Sequence, residues 1–568
     1  MKYNWEDFPQ IWVVDFEFLA PPGSPQAPVC YVAREIHTGK MIKKWLNDDK
    51  LPEYSVDSDA LFIAYFASAE MGCHIALNWP RPRNIIDLFV EFRVATNGKY
   101  LPAGRSLLGA STYYGLSGGD ATLKDTMRER ILQGPPYNEE EKTKILEYCA
   151  LDVLLTTQLF ITMKEGIDLQ RALLRGRYMW AVAIMEYNGV PIDLEALTLL
   201  RSSWNAIKTK LIDKVDLNYH VYEEGVFKGK KFLDFLVENK ISWELTATGL
   251  PRLDDDFFKD QAKSFPILKP LQELRYALGQ LKLNDLRVGS DGRNRALLSP
   301  FGTITGRNTP SSSKFIFGNA VWLRNLIRPT EGIAIAYIDY SQQELAIAAA
   351  LSGDENLKEA YLTGDVYLHF AKQAKAIPEN ATKQTHPDIR EQFKTCMLGI
   401  NYGMREESFA RRSGLPLPQA KEIYRMHKSI YRQYWNWIES FMDTGQLLGE
   451  VTTCYGWRMS TQSMKPRALQ NWPMQSHGAE ILRLAICLCL ENGIKVIAPV
   501  HDALLIEAPA GTIERDVEKA QWLMTEASRY VINFPIRTEA KIIRHPDHYT
   551  DPRGDLMWKS VWEAIHNG

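Results

Sequence analysis

Apolar residues fill every position from Ile333 to Ile338, between Gly332 and Asp339, a run short enough to read as a buried strand. Beyond it Leu345, Ala348, Ala349 and Leu351 recur with helical spacing, which places Asp339 where a strand hands over to a helix. A second run, Ile494 to Val500, is broken by His501-Asp502 and resumes from Ala503 to Glu507, the pattern of a hairpin with Asp502 at its tip. An ionised carboxylate is rarely buried without a partner. Alone, either Asp reads as a turn residue; held side by side on rigid strands, the two suit a pair of Mg²⁺ ions about 3.5–4 Å apart.

Between these strands Arg390, Lys394, Leu398 and Tyr402 recur every four residues. A drift of about 40° per step keeps them on one slowly turning helix face. Two cations followed by an apolar and an aromatic side chain suit a triphosphate and then a sugar or base; the plainer reading is a solvated helix with a basic side. Arg467, Asn471 and Gln475 likewise share a helix face beside Met474 and His477, or form a helix edge exposed to water. Leu297 to Arg328 is a polar stretch carrying Arg307. An Arg delivered by such a loop can donate to the minor-groove acceptors that every correct base pair presents alike.

The N-terminal third has its own pattern. Ile11 to Phe18 is an apolar strand with Asp15 and Glu17 two apart, hence on one face, where their charges repel unless a cation lies between them. Leu61 to Glu70 and Ile85-Ile86-Asp87 follow, then a helix with Tyr148 and Asp152 at i and i+4. A helix over Ala181 to Asn188 is stopped by Gly189 and restarted at an Asp193 cap. Helical patterns then continue to about residue 287.

At 568 residues the chain is too long for one core and implies roughly three or four domains. Apolar residues at 45% and charged residues at 24% describe an ordinary globular chain, and a net charge of −2 gives no global basic field. Basic character is local: residues 371–435 hold 12 Lys and Arg against 6 Asp and Glu, enough to attract a phosphate backbone or triphosphate. The seven cysteines show no CxxC pair or finger spacing; Cys487 and Cys489, two apart in an apolar helical stretch, read as packing residues, and a reducing setting fits. No signal-like start and no uninterrupted apolar run of membrane length occurs, so the expectation is a cytoplasmic protein with no membrane partner.

Five ordered motifs carry a resemblance: Thr303-x-Thr305-Gly306-Arg307, Asp339-Tyr-Ser-Gln342-x-Glu344, Arg390-x3-Lys394-x7-Tyr402-Gly403, Arg467-x3-Asn471-x3-Gln475 and Val500-His501-Asp502. In this order they resemble the polymerase motifs of family A DNA polymerases, and the likeness covers nearly the whole chain. Asp15-x-Glu17 and Tyr148-x3-Asp152 resemble the outer motifs of 3′-5′ proofreading exonucleases. Their middle motif departs from the usual pattern, with Glu70 standing in for Asp and Asp87 as runner-up.

The resemblance implies an α/β and α+β multidomain protein: an RNase H-like 3′-5′ exonuclease domain over 1–170, a connection over 171–195, and a right-hand polymerase region. In that region the thumb takes 196–290, the palm 291–345 and 466–568, and the fingers 346–465. It implies template-directed DNA synthesis, with Asp339 and Asp502 holding two Mg²⁺, and Arg390 and Lys394 neutralising the triphosphate. Lys394 is the candidate proton donor to the leaving group. Gln342, Glu344, Leu398 and Tyr402 line the dNTP, Glu344 lying under the sugar to exclude a 2′-hydroxyl. Arg307, Arg467, Asn471, Gln475 and His501 meet DNA. Asp15, Glu17, Glu70 and Asp152 would hold two further Mg²⁺, with Tyr148 positioning the attacking water; Mn²⁺ can substitute at either site. Partners implied are primer-template DNA and dNTPs, with a processivity factor, helicase or single-strand-binding protein as further ones. The last stretch, from Thr538 on, is expected to complete the palm sheet and pack a helix beside the active site.

Two departures matter. Leu398 stands where the family commonly carries Phe or Tyr, and Ala503 where it often has Glu. No segment resembles the 5′ nuclease domain of repair polymerases, which points by analogy to a phage-type replicative enzyme, in the host cytoplasm if phage-encoded. The alternative reading is a polymerase whose exonuclease domain is inactive and serves only as a DNA-binding platform. An idle template-primer binder, a nuclease that merely grips DNA and an RNA polymerase of related fold fit the residues less well.

Overall fold

The computed structural model describes residues 3–116, 121–246, 248–279, 283–462 and 464–566. The N-terminal region is built on a five-stranded mixed sheet of order β3-β2-β1-β4-β5: β1 (Gln10–Leu19), β2 (Ala27–Glu35), β3 (Met41–Trp45), β4 (Ala60–Ala64) and β5 (Asn84–Asp87). Helices α1 (Ser68–Ala76), α2 (Leu88–Thr96), α3 (Leu107–Tyr113), α4 (Ala121–Gln133) and α5 (Glu139–Met163) accompany it. The period of two sorts β1 cleanly. Ile11 and Val13 join the core beneath α5 with Cys149 and Val153; Trp12, Val14 and Phe16 join a second core on the opposite face. Asp15 and Glu17 are of the first parity, so they face α5. By length and composition α5 with its following turn could cross a membrane, but its apolar side packs on β1 and β2.

That second core runs without a break into the rest of the molecule through α6 (Leu169–Asn188). This helix packs on α1 and β5 on one side and on later elements of the C-terminal sheet on the other. A Cβ at Gly176 would lie 1.8 Å from the Ile85 carbonyl oxygen, so only glycine permits this approach. The connection expected at 171–195 is therefore mostly a buried helix. Gly189, at φ 62°, ends it, and after β6 (Val190–Pro191) Asp193 accepts the Ala196 N–H to start α7 (Leu194–Asp216). Next come a small hairpin, β7 (Tyr222–Glu223) and β8 (Val226–Phe227), and the helices α8 (Gly229–Glu238), α9 (Asp255–Ser264) and α10 (Lys269–Gly279). They close a separate core around Phe232, Phe235, Phe258 and Leu271. After β9 (Arg293–Asn294), paired with β6, the chain is irregular through two 3-10 turns, Ile316–Gly318 and Val321–Leu326.

The strand expected at Ile333 to Ile338 extends two residues further, as β10 (Ile333–Tyr340). Helices α11 (Gln343–Ser352), α12 (Glu355–Leu362), α13 (Val366–Gln373), α14 (Pro387–Asn401), α15 (Glu406–Ser413), α16 (Leu417–Ile430) and α17 (Arg432–Leu448) follow. They lead to the hairpin of β11 (Glu450–Thr452) and β12 (Arg458–Ser460), then to α18 (Pro466–Glu491). The chain closes with β13 (Lys495–Val500), β14 (Ala503–Pro509), α19 (Ile513–Ile532), β15 (Thr538–Arg544) and α20 (Asp555–His566). The resulting antiparallel sheet has order β13-β14-β10-β15, with α18 and α19 packed together beside it. The last helix packs on α7 and the Val321–Leu326 turn.

Candidate active site

Register brings the two distant carboxylates together. Asp339 pairs across β10 and β14 with Ala503, and Asp502 immediately precedes Ala503 in the two-residue turn after β13. His501 takes up the left-handed conformation that the turn requires (φ 58°). The Asp339 and Asp502 carboxyls are close enough for the charge of Asp502 to act strongly on Asp339, and Glu539, opposite Asp339 on β15, adds a third acidic group. Burial, followed by the charge of Asp502, pushes the Asp339 carboxyl up to about 7. Asp339 Oδ1 is buried with no hydrogen-bond partner among the described residues. Clustered hard oxygens with one left bare fit a divalent cation far better than they fit one another.

A second cluster adjoins this pair, since the charge of Asp502 also reaches Glu344 on the first turn of α11. Glu344 Oε1 accepts the Tyr402 hydroxyl at 2.9 Å and lies 3.6 Å from the Arg307 guanidinium. Tyr402 stands at the very end of the helix that carries Arg390, Lys394 and Leu398, its N–H still bonded to the Leu398 carbonyl at 3.0 Å. The helix stops at Asn401 because Gly403 turns left-handed (φ 67°), and Tyr402 is the capping residue. Its carbonyl accepts from Arg467 Nε at 2.6 Å, and its hydroxyl also meets the Gln475 side chain. Five predicted residues thus converge on one spot. Asn471 is buried beneath them on α18, with Oδ1 unpartnered among the described residues. His477, one turn on, instead faces Cys454.

Of the cations, Arg390 donates to Asp365 Oδ2 at 2.5 Å, and Asp365 itself caps α13 through the Leu368 N–H. Among the described residues Lys394 reaches only Glu391, at 3.3 Å on the exposed side of α14. An exposed pair such as Lys394–Glu391 is worth about 1 kcal/mol or less, so Lys394 is available to a stronger anion, whereas Arg390 sits in a part-buried pair. Leu398 is half-buried on the same helix. Gln342 does not point at this group: its amide bridges the following turn, donating to the Gly364 carbonyl at 3.2 Å and accepting the Val366 N–H at 3.2 Å.

The N-terminal acidic residues also meet. Asp15, Glu17 and Cys149 bring ligand atoms within 4.8 Å of one another. Burial, and then the charges of Asp15, Cys30, Asp152 and Glu70, hold the Glu17 carboxyl well above its ordinary range. Glu70, 3% exposed on α1, feels Asp15 in turn, and its Oε2 has no partner among the described residues. Asp87, the runner-up, is spent otherwise. Its oxygens accept the Ala67 and Val90 N–H groups at 2.7 and 3.0 Å, capping α2. Tyr148 lies one turn before Asp152 on α5, its hydroxyl pushed up by burial and then by the charge of Asp152. Glu539 and Cys149 escaped the sequence reading. Strand register is not legible in a lone alternating segment, and a cysteine beside a motif tyrosine carries no signal of its own.

Residues 308–545 match the family model described as DNA polymerase family A. Among curated relatives, the thermostable DNA polymerase I of Thermus aquaticus is 27% identical over 308 residues, 49% of this chain and 36% of that protein. That of Thermus thermophilus is 29% identical over 37% of this chain and 26% of its own length. DNA polymerase I of Aquifex aeolicus is 23% identical over 70% of this chain and 75% of that one. The chain thus spans about a quarter to a third of the length of the Thermus relatives. A solved structure, the POL domain of Pol1 from M. smegmatis in complex with DNA primer-template and dNTP, shares the fold at a TM-score of 0.74. It covers 94% of each chain at 18% identity.

Proposed function

We propose that the protein extends a primer 3′ end with deoxynucleotides chosen by a template strand, on the premise that residues 308–545, which match the DNA polymerase family A model, act as such a domain. The observation that carries the reading is the closeness of Asp339 to Asp502 beside the Glu344, Tyr402 and Arg307 cluster. The sheet of β13, β14, β10 and β15 acts as palm, the helices α11 to α17 as fingers, and α7 to α10 as the thumb over the duplex.

Asp339 and Asp502 would hold Mg²⁺, with Mn²⁺ able to substitute; bound there, the metal supplies activation of the primer hydroxyl and neutralisation of the triphosphate. Arg390 and Lys394 leave their carboxylate partners to bind the phosphates, and Lys394 delivers a proton to the departing pyrophosphate. Tyr402 stacks near the templating position, Leu398 lies against the incoming sugar, and Glu344 fills the space a 2′-hydroxyl would need. Arg307 and Gln475 read the minor groove of the primer-terminal pair, where a mispair misplaces its acceptors. Arg467, Asn471 and His501 contact the strands around it.

The N-terminal site acts as a 3′-5′ proofreading exonuclease. Asp15, Glu17, Glu70 and Asp152 would hold its two divalent cations, with Tyr148 orienting water. A Glu17 carboxyl raised by burial and by the charges of Asp15, Asp152 and Glu70, beside a buried Glu70 raised by burial and by Asp15, favours this over a DNA-binding platform that has lost its activity. Extension and resection of a labelled primer-template hairpin, with and without Mg²⁺, tests both activities. Template-dependent lengthening with dNTPs and shortening without them are expected, and neither without the metal.

A further inference from the structure

We propose that Arg93 and Asn97, at the end of α2 in the N-terminal region, are positioning residues for nucleotide addition, acting through the loop that carries Arg307. The inference rests on the role given above to Arg307.

That loop is held by its carbonyls. Gly302 and Thr303 accept from Arg93 Nη2 at 2.9 and 3.4 Å, and Gly306 accepts from Arg483 Nη1 at 2.7 Å. The Ile304 carbonyl takes three donors: Asn97 Nδ2 at 2.8 Å, Trp457 Nε1 at 2.9 Å and Trp472 Nε1 at 3.1 Å. A carbonyl oxygen has two lone pairs, so three donors oversubscribe it and fix it from three directions. Gly306, at φ 75°, lies so close to Trp457 that a Cβ there would sit 3.1 Å from the indole. The Arg307 N–H is tied in turn to Thr303 Oγ1 at 2.9 Å. Arg307 therefore departs from a backbone with little freedom, and its guanidinium meets Glu344.

Two of these anchors come from about 200 residues upstream. Both are buried, Arg93 at 6% and Asn97 at 4% exposure. Asn97 also donates to the Arg458 carbonyl at 2.7 Å and accepts the Ser460 N–H at 2.9 Å, so it joins α2 to β12 as well as to the loop. The far end of α2 is capped by Asp87, whose charge reaches Glu70. One helix of nine residues, roughly 13 Å long, thus starts beside the N-terminal acidic site and ends on the loop of the C-terminal one. Ordinary domain packing would not need three side chains on one carbonyl of a loop whose next charged residue faces the reaction site.

The test is a double-mutant cycle in the full chain. Arg93→Ala, Asn97→Ala, Arg307→Ala and the paired variants are compared for single-nucleotide extension, with thermal unfolding and amide exchange of residues 302–307 measured on the same proteins. About a tenfold loss of kcat/KM is expected for each α2 variant, with the double variants no slower than Arg307→Ala alone. Faster exchange in the loop than in β10 and partial recovery in Arg93→Lys, which keeps a donor and the charge, are also expected. Additive losses, or unchanged extension in both α2 variants, overturn the proposal. If Arg307→Ala extends as well as the wild type, the role assigned to Arg307 fails and this inference with it. If the wild-type chain extends no primer, the proposed function fails, and loop exchange alone decides whether α2 fixes the loop: faster supports it, unchanged refutes it.

Discussion

Tyr402 donates its hydroxyl hydrogen to Glu344 at 2.9 Å, joining the end of α14 to the start of α11. Burial raises the Glu344 carboxyl above its ordinary range, and Tyr402 and Arg307 offset part of that cost. Glu344→Ala removes the acceptor of both and leaves a space beneath the incoming sugar. Ribonucleotide incorporation relative to deoxynucleotide should rise by at least about tenfold, the effect of roughly 1.4 kcal/mol, in a competition assay on one template position. An unchanged ratio would remove Glu344 from sugar selection.

Leu398 offers the sugar neither a ring face nor a phenol. Replacing it by Tyr should change incorporation of dideoxynucleotides relative to deoxynucleotides, measured as the ratio of chain termination to extension. Equal ratios in Leu398→Tyr and wild type would show that this position does not touch the sugar.

The acidic pair predicts a stability that depends on cation and pH. The Asp339 carboxyl is held up to about 7, against an ordinary 3.8. The unfolded chain therefore releases this proton before the folded one does. Without a divalent cation, the folded state is favoured below about pH 4 and loses this contribution as pH rises through 7. In chelator at pH 8, Asp339→Asn should be more stable than wild type, on the order of 2 kcal/mol after allowing for partial exposure. Adding Mg²⁺ should stabilise the wild type more than the variant, which keeps only the N-terminal cation site. Equal melting temperatures under all conditions would mean that the carboxylates do not strain one another.

The N-terminal acids separate by role. Asp15→Ala and Glu70→Gln should each lower single-strand resection at least about a hundredfold, the scale of losing a group from a catalytic metal site, while extension persists. Asp87→Ala should instead cost about 1 kcal/mol of stability through the lost helix cap, visible by denaturant unfolding. Full resection by Glu70→Gln would return the role to another residue.

Much of this arrangement was legible in the chain, and the reasons are local. Apolar runs ended by Asp339 and His501-Asp502 announce strands with carboxylates at their ends, and i, i+4 spacing places Arg390, Lys394 and Leu398 on one face. What stayed hidden depends on register or on remote partners. Glu539 faces Asp339 only because of how β15 pairs with β10. The bond from the Tyr402 hydroxyl to Glu344 joins positions 58 apart, and Gln342 is drawn away by a turn 22 residues on. Glu70 and Asp87 read alike in sequence; only the N–H groups that occupy Asp87 tell them apart. The grip of Arg93 and Asn97 on the Arg307 loop crosses about 200 positions and has no periodic signal.

Primer extension with each of the four dNTPs withheld in turn tests the central claim most directly, run on the wild type and on Asp339→Ala and Asp502→Ala. The wild type should stop one position before the template first calls for the missing nucleotide. Both variants should make no product, while Asp339→Ala still shortens the primer through the N-terminal site. Extension that ignores the withheld nucleotide, or that survives loss of either aspartate, would contradict the account.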